Sequence, residues 1–246
     1  MNEKKNKIKK NLWQIFYAIL AALAIRSFLY EPFSIPSGSM YPNLKVGDYL
    51  FVSKYSYGFS RHSLPFSLPL IPGRIFYNEP KRGDIVVFKT PDDNRTDYIK
   101  RLIGIPGDLV RIESSEIFIN GTKISRTFKN NEKYKSFDVQ KIKETLPNQK
   151  TYSVFEFEKT FSVYNTNNFD EIVVPADSFF VIGDNRDNSQ DSRYIGPIPK
   201  KNLVGRAEVV FISFNTEIGS FLKFWTWFPA LRKDRFLVSL RPKTDS

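Results

Sequence analysis

Cysteine is absent from the 246-residue chain, and histidine occurs once, as His62. The absence of cysteine excludes disulfides, thiolate nucleophiles and cysteine-based metal sites. A single histidine argues against a histidine-rich metal centre, and its place in a Pro- and Phe-rich stretch argues against a Ser-His-Asp triad. A serine nucleophile in this chain would therefore need another side chain to take its proton. We expect no metal.

Basic charge is concentrated at the two ends of the chain rather than in a stripe. The formal net charge is +11, and the first ten residues, with five lysines and one glutamate, supply +4 of it. The last fifteen residues, with five basic and two acidic side chains, supply +3. Nucleic-acid-binding proteins more often carry a clustered basic face, so we expect no nucleic-acid partner. Basic ends beside apolar segments fit anionic membrane lipid instead.

A long apolar run lies near the N-terminus. Residues 11–30 read NLWQIFYAILAALAIRSFLY, and the part from 11 to 25 carries no charge. A helix of about 20 residues is roughly 30 Å long, enough to cross a bilayer. The lysines in residues 1–10 predict a cytoplasmic N-terminus by the positive-inside rule. The same pattern, with Ala22-Leu23-Ala24 as a small-x-small site, also fits a cleavable signal peptide, so both interpretations stay open at this point.

Beyond Tyr30 the pattern is mainly strand-like. Asn120-Gly121, between alternating residues, predicts a type I′ hairpin. Short runs without long intervening helices predict a mainly β, antiparallel fold. Residues 58–80 predict a long loop, and the polar stretch 127–170 predicts part of an inserted subdomain, with a short helix within 129–150. The predicted strands lie at 48–54, 84–89, 109–113, 116–124, 178–182 and 207–213.

Two serines flank a glycine in the sequence PSGSM, at residues 36–40. Gly38 permits tight backbone geometry between Ser37 and Ser39. Serine and glycine are also common residues in ordinary turns. Taken alone, the motif therefore indicates a turn as well as a candidate nucleophile.

Lys100 lies in the strand-like sequence YIKRLIG. Alternation along a strand places Lys100 on the face of Tyr98 and Leu102. Burial in an apolar site lowers the pKa of a lysine because desolvation disfavours the charged form, and a neutral amine can act as general base for a serine. The alternative is an exposed lysine beside an exposed arginine.

The sequence GDNRDNSQDSR, residues 183–193, contains no apolar side chain and follows the apolar run SFFVI. It has some ingredients of a calcium loop, but its spacing does not match an EF-hand. A solvated loop is one interpretation. An ordered polar network that supports an active site is the other, and we favour it.

Together these segments resemble the bacterial type I signal peptidases, which are membrane-anchored Ser-Lys endopeptidases. Four motifs occur in order behind the N-terminal apolar segment: RSFLYEPFSIPSGSMYPNL, KRGDIVVFK, YIKRLIGIPGD and GDNRDNSQDSR. The resemblance implies an antiparallel β-sheet catalytic body with an inserted β-rich subdomain, preceded by one transmembrane helix. It also implies no cofactor. The expected organisation is a cytoplasmic N-terminus at 1–10, an anchor at 11–30, a catalytic β domain at 31–110 and 171–215, the inserted subdomain at 111–170 and an aromatic and basic C-terminal tail at 216–246.

The resemblance also implies roles for individual residues. Ser39 is the implied nucleophile and Lys100 the implied general base. Ser37 would supply an oxyanion-hole hydroxyl, working with the backbone N–H of Ser39. Ser189 would orient the Lys100 amine.

The resemblance also implies a supporting role for two residues of the polar stretch, and one residue of the PSGSM motif region differs from the family. Asp191 and Arg193 would pair and hold the polar loop in place, with no part in proton transfer. Asn43 stands where the family often has threonine, which leaves the Ser-Lys pair intact. Candidates to line pockets or to contact lipid are Phe33, Ile35, Met40, Phe59 and Phe66. Ordinary core packing is the equal alternative for each of them.

The implied activity is removal of signal peptides from exported preproteins, with cleavage after small residues at the positions one and three before the cut. The implied location is the bacterial inner membrane, single-pass, with the catalytic domain outside the cytoplasm, which favours a retained anchor over cleavage at Ala24. A self-cleaving repressor is the second hypothesis, and the apolar N-terminal segment argues against its DNA-binding helix-turn-helix. A non-catalytic membrane-tethered β module that binds envelope partners or lipid is the third.

Overall fold

The computed structural model describes residues 2–158, 167–219 and 224–244. Within these residues the chain forms an N-terminal helix followed by β-sheets. The helices are α1 Asn2–Phe28, α2 Ser192–Ile195 and α3 Trp227–Ala230. The strands are β1 Tyr30–Ser34, β2 Asp48–Ser53, β3 Phe59–Ser60, β4 Arg74–Ile75, β5 Ile85–Lys89, β6 Asp97–Gly104, β7 Leu109–Glu113, β8 Glu116–Ile119, β9 Thr122–Lys123, β10 Ser125–Tyr134, β11 Phe137–Thr145, β12 Lys150–Phe157, β13 Phe169–Val173, β14 Ser178–Ile182, β15 Ile198–Pro199, β16 Leu203–Ser213, β17 Val238–Ser239 and β18 Lys243–Thr244.

Helix α1 leaves most of its apolar side chains uncovered by protein. Its segment Lys9–Phe28 has a mean hydropathy of 1.3 and is long and apolar enough to cross a membrane. The helix ends at Phe28, two residues before the predicted end of the anchor, and the chain continues as β1. Pro32 disfavours helical geometry in the residue before it, which fits this early change to extended chain.

Charged side chains join the end of α1 to the body. Glu31 on β1 accepts a 2.6 Å bond from Arg26 in the last turn of the helix. The same carboxylate pairs at 2.9 Å with Lys54, whose side chain is 3% exposed. The end of α1 is therefore tied to the start of β1 and to the chain just after β2.

The main sheet is antiparallel and has the strand order β1-β2-β16-β5-β6-β14-β15, with β17 added to β16. Its strands include the predicted runs at 48–54, 84–89, 178–182 and 207–213. Apolar clusters pack against it, and one of them contains Ile35 and Met40. The predicted mainly β, antiparallel fold is confirmed.

Two four-stranded sheets account for most of the chain between the motifs, with the orders β13-β7-β8-β9 and β10-β11-β12-β18. Strands β8 and β9 form the predicted hairpin around Asn120-Gly121. The helix predicted within 129–150 is wrong, because β10 and β11 form a long antiparallel hairpin there. Val139 and Ile142 are buried three residues apart, a helix-like spacing, but pairing with β12 fixes the segment as strand.

The C-terminal segment is part of the folded body where it is described. Strand β17 joins the main sheet, and β18 joins β12. Arg235 binds the buried carboxylate of Asp48 with two nitrogens, at 2.8 and 2.5 Å. Trp225 and Phe228 remain largely exposed. The segment 58–80, predicted as a loop, contains short 3₁₀ turns and the two-residue strands β3 and β4.

Candidate active site

The PSGSM turn (residues 36–40) follows β1 and is held by its apolar neighbours. Met40 is fully buried, and Ile35 just before the turn is 4% exposed, so both belong to the core. Ser39 lies between them and the surface and is 8% exposed. The polar loop, defined as residues 183–193, holds the turn from one side: the backbone N–H of Asn185 donates to the Ser39 carbonyl, and its side-chain amide donates to the Gly38 carbonyl, both at 3.0 Å.

Lys100 reaches the turn from β6, a central strand between β5 and β14. Its Nζ donates to Ser39 Oγ at 2.8 Å and to the Ile99 carbonyl at 3.0 Å. The amine lies 5.2 Å from the centre of the Tyr98 ring, on the face that strand alternation predicts. The structure therefore brings together two side chains that are 61 positions apart in the sequence.

The environment of Lys100 favours the neutral amine. The side chain is buried, and desolvation lowers its pKa from the ordinary 10.5 to about 8. The carboxylates of Asp191 and Asp184 oppose this shift, while Arg193 adds to it. Burial is the largest effect, so an appreciable fraction of the amine is neutral near pH 8.

Ser37 lies at the exposed side of the same turn. Its Oγ is 3.4 Å from Ser39 Oγ. A hydroxyl at this position borders the space next to the Ser39 side chain, where a carbonyl under attack would develop negative charge. That placement allows it to donate to an oxyanion.

The polar loop is ordered around a buried carboxylate. Asp191 is completely buried and accepts 2.8 Å bonds from two nitrogens of Arg193 and a 2.9 Å bond from the Gly183 N–H. Burial alone would raise the pKa of the Asp191 carboxyl, but Arg193 and the hydrogen bonds hold it below its usual value. Arg193 also donates to the Arg186 carbonyl at 2.8 Å, which closes the loop on itself.

Ser189 is close to the site but is not bonded to Lys100. Its Oγ is buried and has no hydrogen-bond partner within the described ranges. The side chain packs against Gly183, where an added Cβ would collide with it. The hydrogen bond that the resemblance implies between Ser189 and the Lys100 amine is thus not formed in this structure.

Sequence reasoning missed the neighbour of Lys100. Arg101 points to the opposite face of β6, is 2% exposed and binds Asp184 through two 2.7 Å hydrogen bonds. Asn43 donates to the same carboxylate at 2.7 Å and links it to the PSGSM turn. An arginine inside an otherwise apolar strand was the available signal, because arginine is almost never buried without a partner.

A second buried ion pair joins the polar loop to the inserted sheets. Arg186 binds Glu144 of β11 through two nitrogens, at 2.8 and 2.5 Å, and Glu144 is fully buried. The Phe157 N–H of β12 donates to Asp187 at 2.8 Å. The polar loop therefore lies between the main sheet and the β10-β11-β12 sheet and contacts both.

A cleft of about 840 Å³ opens above Ser39 and Lys100. Its walls are the PSGSM turn, the start of β6, the tip of the β10–β11 hairpin and a segment around Arg232. His62 lies elsewhere, lining a smaller pocket, and burial lowers its pKa to about 4. It is not placed to serve Ser39.

The expected pocket residues have a different placement. Ile35 and Met40 are core residues, which matches the core alternative rather than the pocket-lining one. Phe33 packs against the same cluster, and the Phe59 ring lies edge-on to Phe28 at 5.5 Å. The side chain of Phe66 lies outside the described residues.

Comparison with known proteins identifies the family. Residues 8–212 match the family described as "Signal peptidase, peptidase S26". The chain belongs to the signal peptidase S26 family. It is 41% identical to "Signal peptidase I" of Rickettsia akari (strain Hartford), with 94% of this chain and 93% of the relative covered. It is 38% identical to "Signal peptidase I" of Rickettsia typhi (strain ATCC VR-144 / Wilmington), with 97% of each covered.

Membership of this family confirms the resemblance seen in the four motifs. The matched range contains the PSGSM turn, Lys100 and the polar loop. The chain is therefore a peptidase of the signal peptidase I type, and its N-terminal apolar helix is consistent with a membrane anchor.

Proposed function

We propose that this signal peptidase removes signal peptides from exported preproteins with Ser39 as nucleophile and Lys100 as general base. The observation that supports it most strongly is the 2.8 Å separation of Lys100 Nζ and Ser39 Oγ in a buried setting. Nucleophile and base must lie within hydrogen-bond reach, and a serine hydroxyl is a weak nucleophile until a base takes its proton.

The reaction then proceeds in two halves. Ser39 Oγ attacks the carbonyl carbon of the scissile bond as its proton moves to the neutral Lys100 amine. The resulting ammonium gives that proton to the leaving amine, the C–N bond breaks, and the mature protein departs with a new N-terminus. Water then attacks the ester carbonyl on Ser39 and gives a proton to Lys100. The C–Oγ bond breaks, Lys100 returns that proton to Ser39 Oγ, and the signal peptide is released as a carboxylic acid.

Ser37 and the Ser39 backbone N–H would stabilise the oxyanion of each tetrahedral intermediate. The position of the Ser37 hydroxyl, 3.4 Å from Ser39 Oγ, supports this role. A single well-placed donor of this kind contributes about 3–4 kcal/mol.

Ser189, Asp191 and Arg193 would act by holding the site. The buried Asp191–Arg193 pair supports the fixed shape of the polar loop, which in turn holds the carbonyls of the PSGSM turn. For Ser189 to orient Lys100, the side chains would have to rearrange, because the Lys100 amine bonds to Ser39 and the Ile99 carbonyl in this structure.

Helix α1 would anchor the enzyme in the bacterial inner membrane with its lysine-rich start in the cytoplasm. The site would then face preproteins as they emerge on the other side, within reach of membrane lipid. Tethering raises the local concentration of enzyme near membrane-bound substrate.

An assay of preprotein cleavage by the Ser39→Ala and Lys100→Ala variants tests the proposal. A defined preprotein in detergent is incubated with each variant, and the product is followed by gel and mass spectrometry. Both variants should lose nearly all activity. The matched controls are the Ser34→Ala and Lys81→Ala variants, which change exposed residues of the same types. Both control variants should cleave the preprotein normally. Near wild-type cleavage by a correctly folded Ser39→Ala or Lys100→Ala protein would refute the mechanism.

A further inference from the structure

We propose that Tyr134, contributed by the inserted sheets, is a positioning residue for the PSGSM turn. The inference rests on the proposed Ser39–Lys100 mechanism and assigns a task to the β10–β11 hairpin. Tyr134 is the last residue of β10, at the tip of the hairpin, and it lines the cleft. It is 5% exposed, although the residues beside it, Lys133 and Lys135, are exposed.

The tyrosine hydroxyl touches the turn at Gly38. A Cβ added to Gly38 would collide with the Tyr134 hydroxyl oxygen and would lie 2.9 Å from the ring carbon Cζ. Gly38 has no positive φ, so its backbone conformation does not require glycine. A larger residue at position 38 would therefore have to displace the Tyr134 hydroxyl, whose ring is itself packed against Tyr41.

Tyr134 also contacts the other parts of the site. Its hydroxyl accepts a 3.2 Å hydrogen bond from the side-chain amide of Asn188, the residue before Ser189. Its ring packs edge-on against Tyr41, two residues after Ser39, with centres 4.9 Å apart. One side chain thus touches the chain on both sides of Ser39 and the polar loop.

The turn is consequently held from two directions. Asn185 fixes the Gly38 and Ser39 carbonyls by hydrogen bonds, and Tyr134 blocks movement of Gly38 and Tyr41 toward the cleft. Ser39 must keep a near-attack geometry relative to Lys100, and a displacement of about 1 Å can cost roughly 100-fold in rate. A larger gap beside Gly38 should therefore lower kcat more than it raises KM.

Steady-state kinetics with Tyr134→Ala and Tyr134→Phe test this inference. Tyr134→Ala should lower kcat by about 10- to 100-fold with KM within a few-fold of wild type. Tyr134→Phe keeps the ring and should therefore show a smaller decrease in kcat than Tyr134→Ala. Phe137→Ala is the matched control: this residue stacks on Phe157 at 5.1 Å at the same hairpin tip but does not line the cleft. It should lower the unfolding midpoint as Tyr134→Ala does, yet keep kcat.

A double-mutant cycle between positions 38 and 134 provides the sharper test. Gly38→Ala should reduce kcat at least about tenfold in the wild-type background, because of the collision, and less than about threefold in the Tyr134→Ala background. Equal losses in both backgrounds, or a Tyr134→Ala enzyme with normal kcat, would overturn the inference. Ser39→Ala is run alongside: activity in that variant would refute the proposed function, whereas its inactivity beside a normal Tyr134→Ala enzyme would refute the role of Tyr134 alone.

Discussion

A lysine can take a proton from serine only when its own positive charge is disfavoured. Lys100 meets this condition through burial in a strand between two others, with apolar neighbours along β6. The nearby carboxylates oppose the effect, but the largest influence on its pKa is desolvation. The position of Lys100 in the fold thus explains how an amine can replace the missing imidazole.

The pH dependence of cleavage follows from the pKa of Lys100. Only the neutral amine is a base, so kcat/KM should rise about tenfold per pH unit on the acidic side and level off above about pH 8. Initial rates at low preprotein concentration across pH 6 to 10 would measure this. A value of kcat/KM that still rises tenfold per unit up to pH 10, as the ordinary lysine pKa of 10.5 would give, would contradict the assignment. Lys100→Arg, which keeps the charge and cannot deprotonate, should be inactive at every pH.

Ser37 offers a test of oxyanion stabilisation. Ser37→Ala should reduce kcat by about 10²–10³ with little change in KM, because the lost donor acts mainly in the transition state. Ser37→Thr retains a hydroxyl and should retain more activity. A Ser37→Ala enzyme with kcat near that of wild type would show that the backbone N–H suffices.

At the scale of elements, the polar loop connects the main sheet to the inserted sheets. Arg101–Asp184 joins it to β6, and Glu144–Arg186 joins it to β11. These buried charges lie 83 and 42 positions apart in sequence. A shift of either sheet would therefore be transmitted to the carbonyls of the PSGSM turn.

Breaking one of these pairs should be costly. Glu144→Gln leaves Arg186 buried beside a neutral partner and should lower the free energy of unfolding by about 3–5 kcal/mol. Urea denaturation of the detergent-solubilised protein measures this. The matched control is Asp138→Asn, which removes the exposed Lys133–Asp138 pair and should cost less than about 1 kcal/mol. Equal midpoints for the two variants would contradict the supporting role of Glu144.

Most strands of the main sheet, the β7 to β9 strands and the four motifs were predictable from sequence, because alternation, turn residues and motif order are local signals. The β10–β11 hairpin was not, because the lysine-rich, loosely patterned segment 129–150 gives no clear strand alternation and was assigned a short helix. Contacts between residues distant in sequence could not be predicted either, since no local pattern links Arg101 to Asp184 or Tyr134 to Gly38. The burial of Lys100 was predictable from its apolar strand, whereas the same strand context of Arg101 was overlooked.

At the scale of the whole molecule, the anchor, the sheet and the site are continuous in sequence. Helix α1 leads directly into β1, and β1 leads into the PSGSM turn. The Arg26–Glu31–Lys54 cluster ties the end of the helix to the body. This arrangement would keep the proposed site at a fixed short distance from the membrane.

If α1 is retained as an anchor, the mature protein should still contain the lysine-rich N-terminus. Mass spectrometry of the membrane fraction should recover peptides from the lysine-rich N-terminus, because the helix is expected to remain attached. A mature chain that begins after Ala24 would instead identify residues 1–24 as a cleaved signal peptide. Release of the protein into the soluble fraction would point the same way.

The central claim is that Ser39 is the nucleophile and that Lys100 activates it. Mapping the adduct of a serine-directed acylating probe by mass spectrometry, in wild-type and Lys100→Ala enzyme, tests both parts in one measurement. We expect a single modified serine, Ser39, in the wild type and a strong loss of labelling without Lys100. An unlabelled Ser39, a label on another serine, or labelling that persists in Lys100→Ala would contradict it.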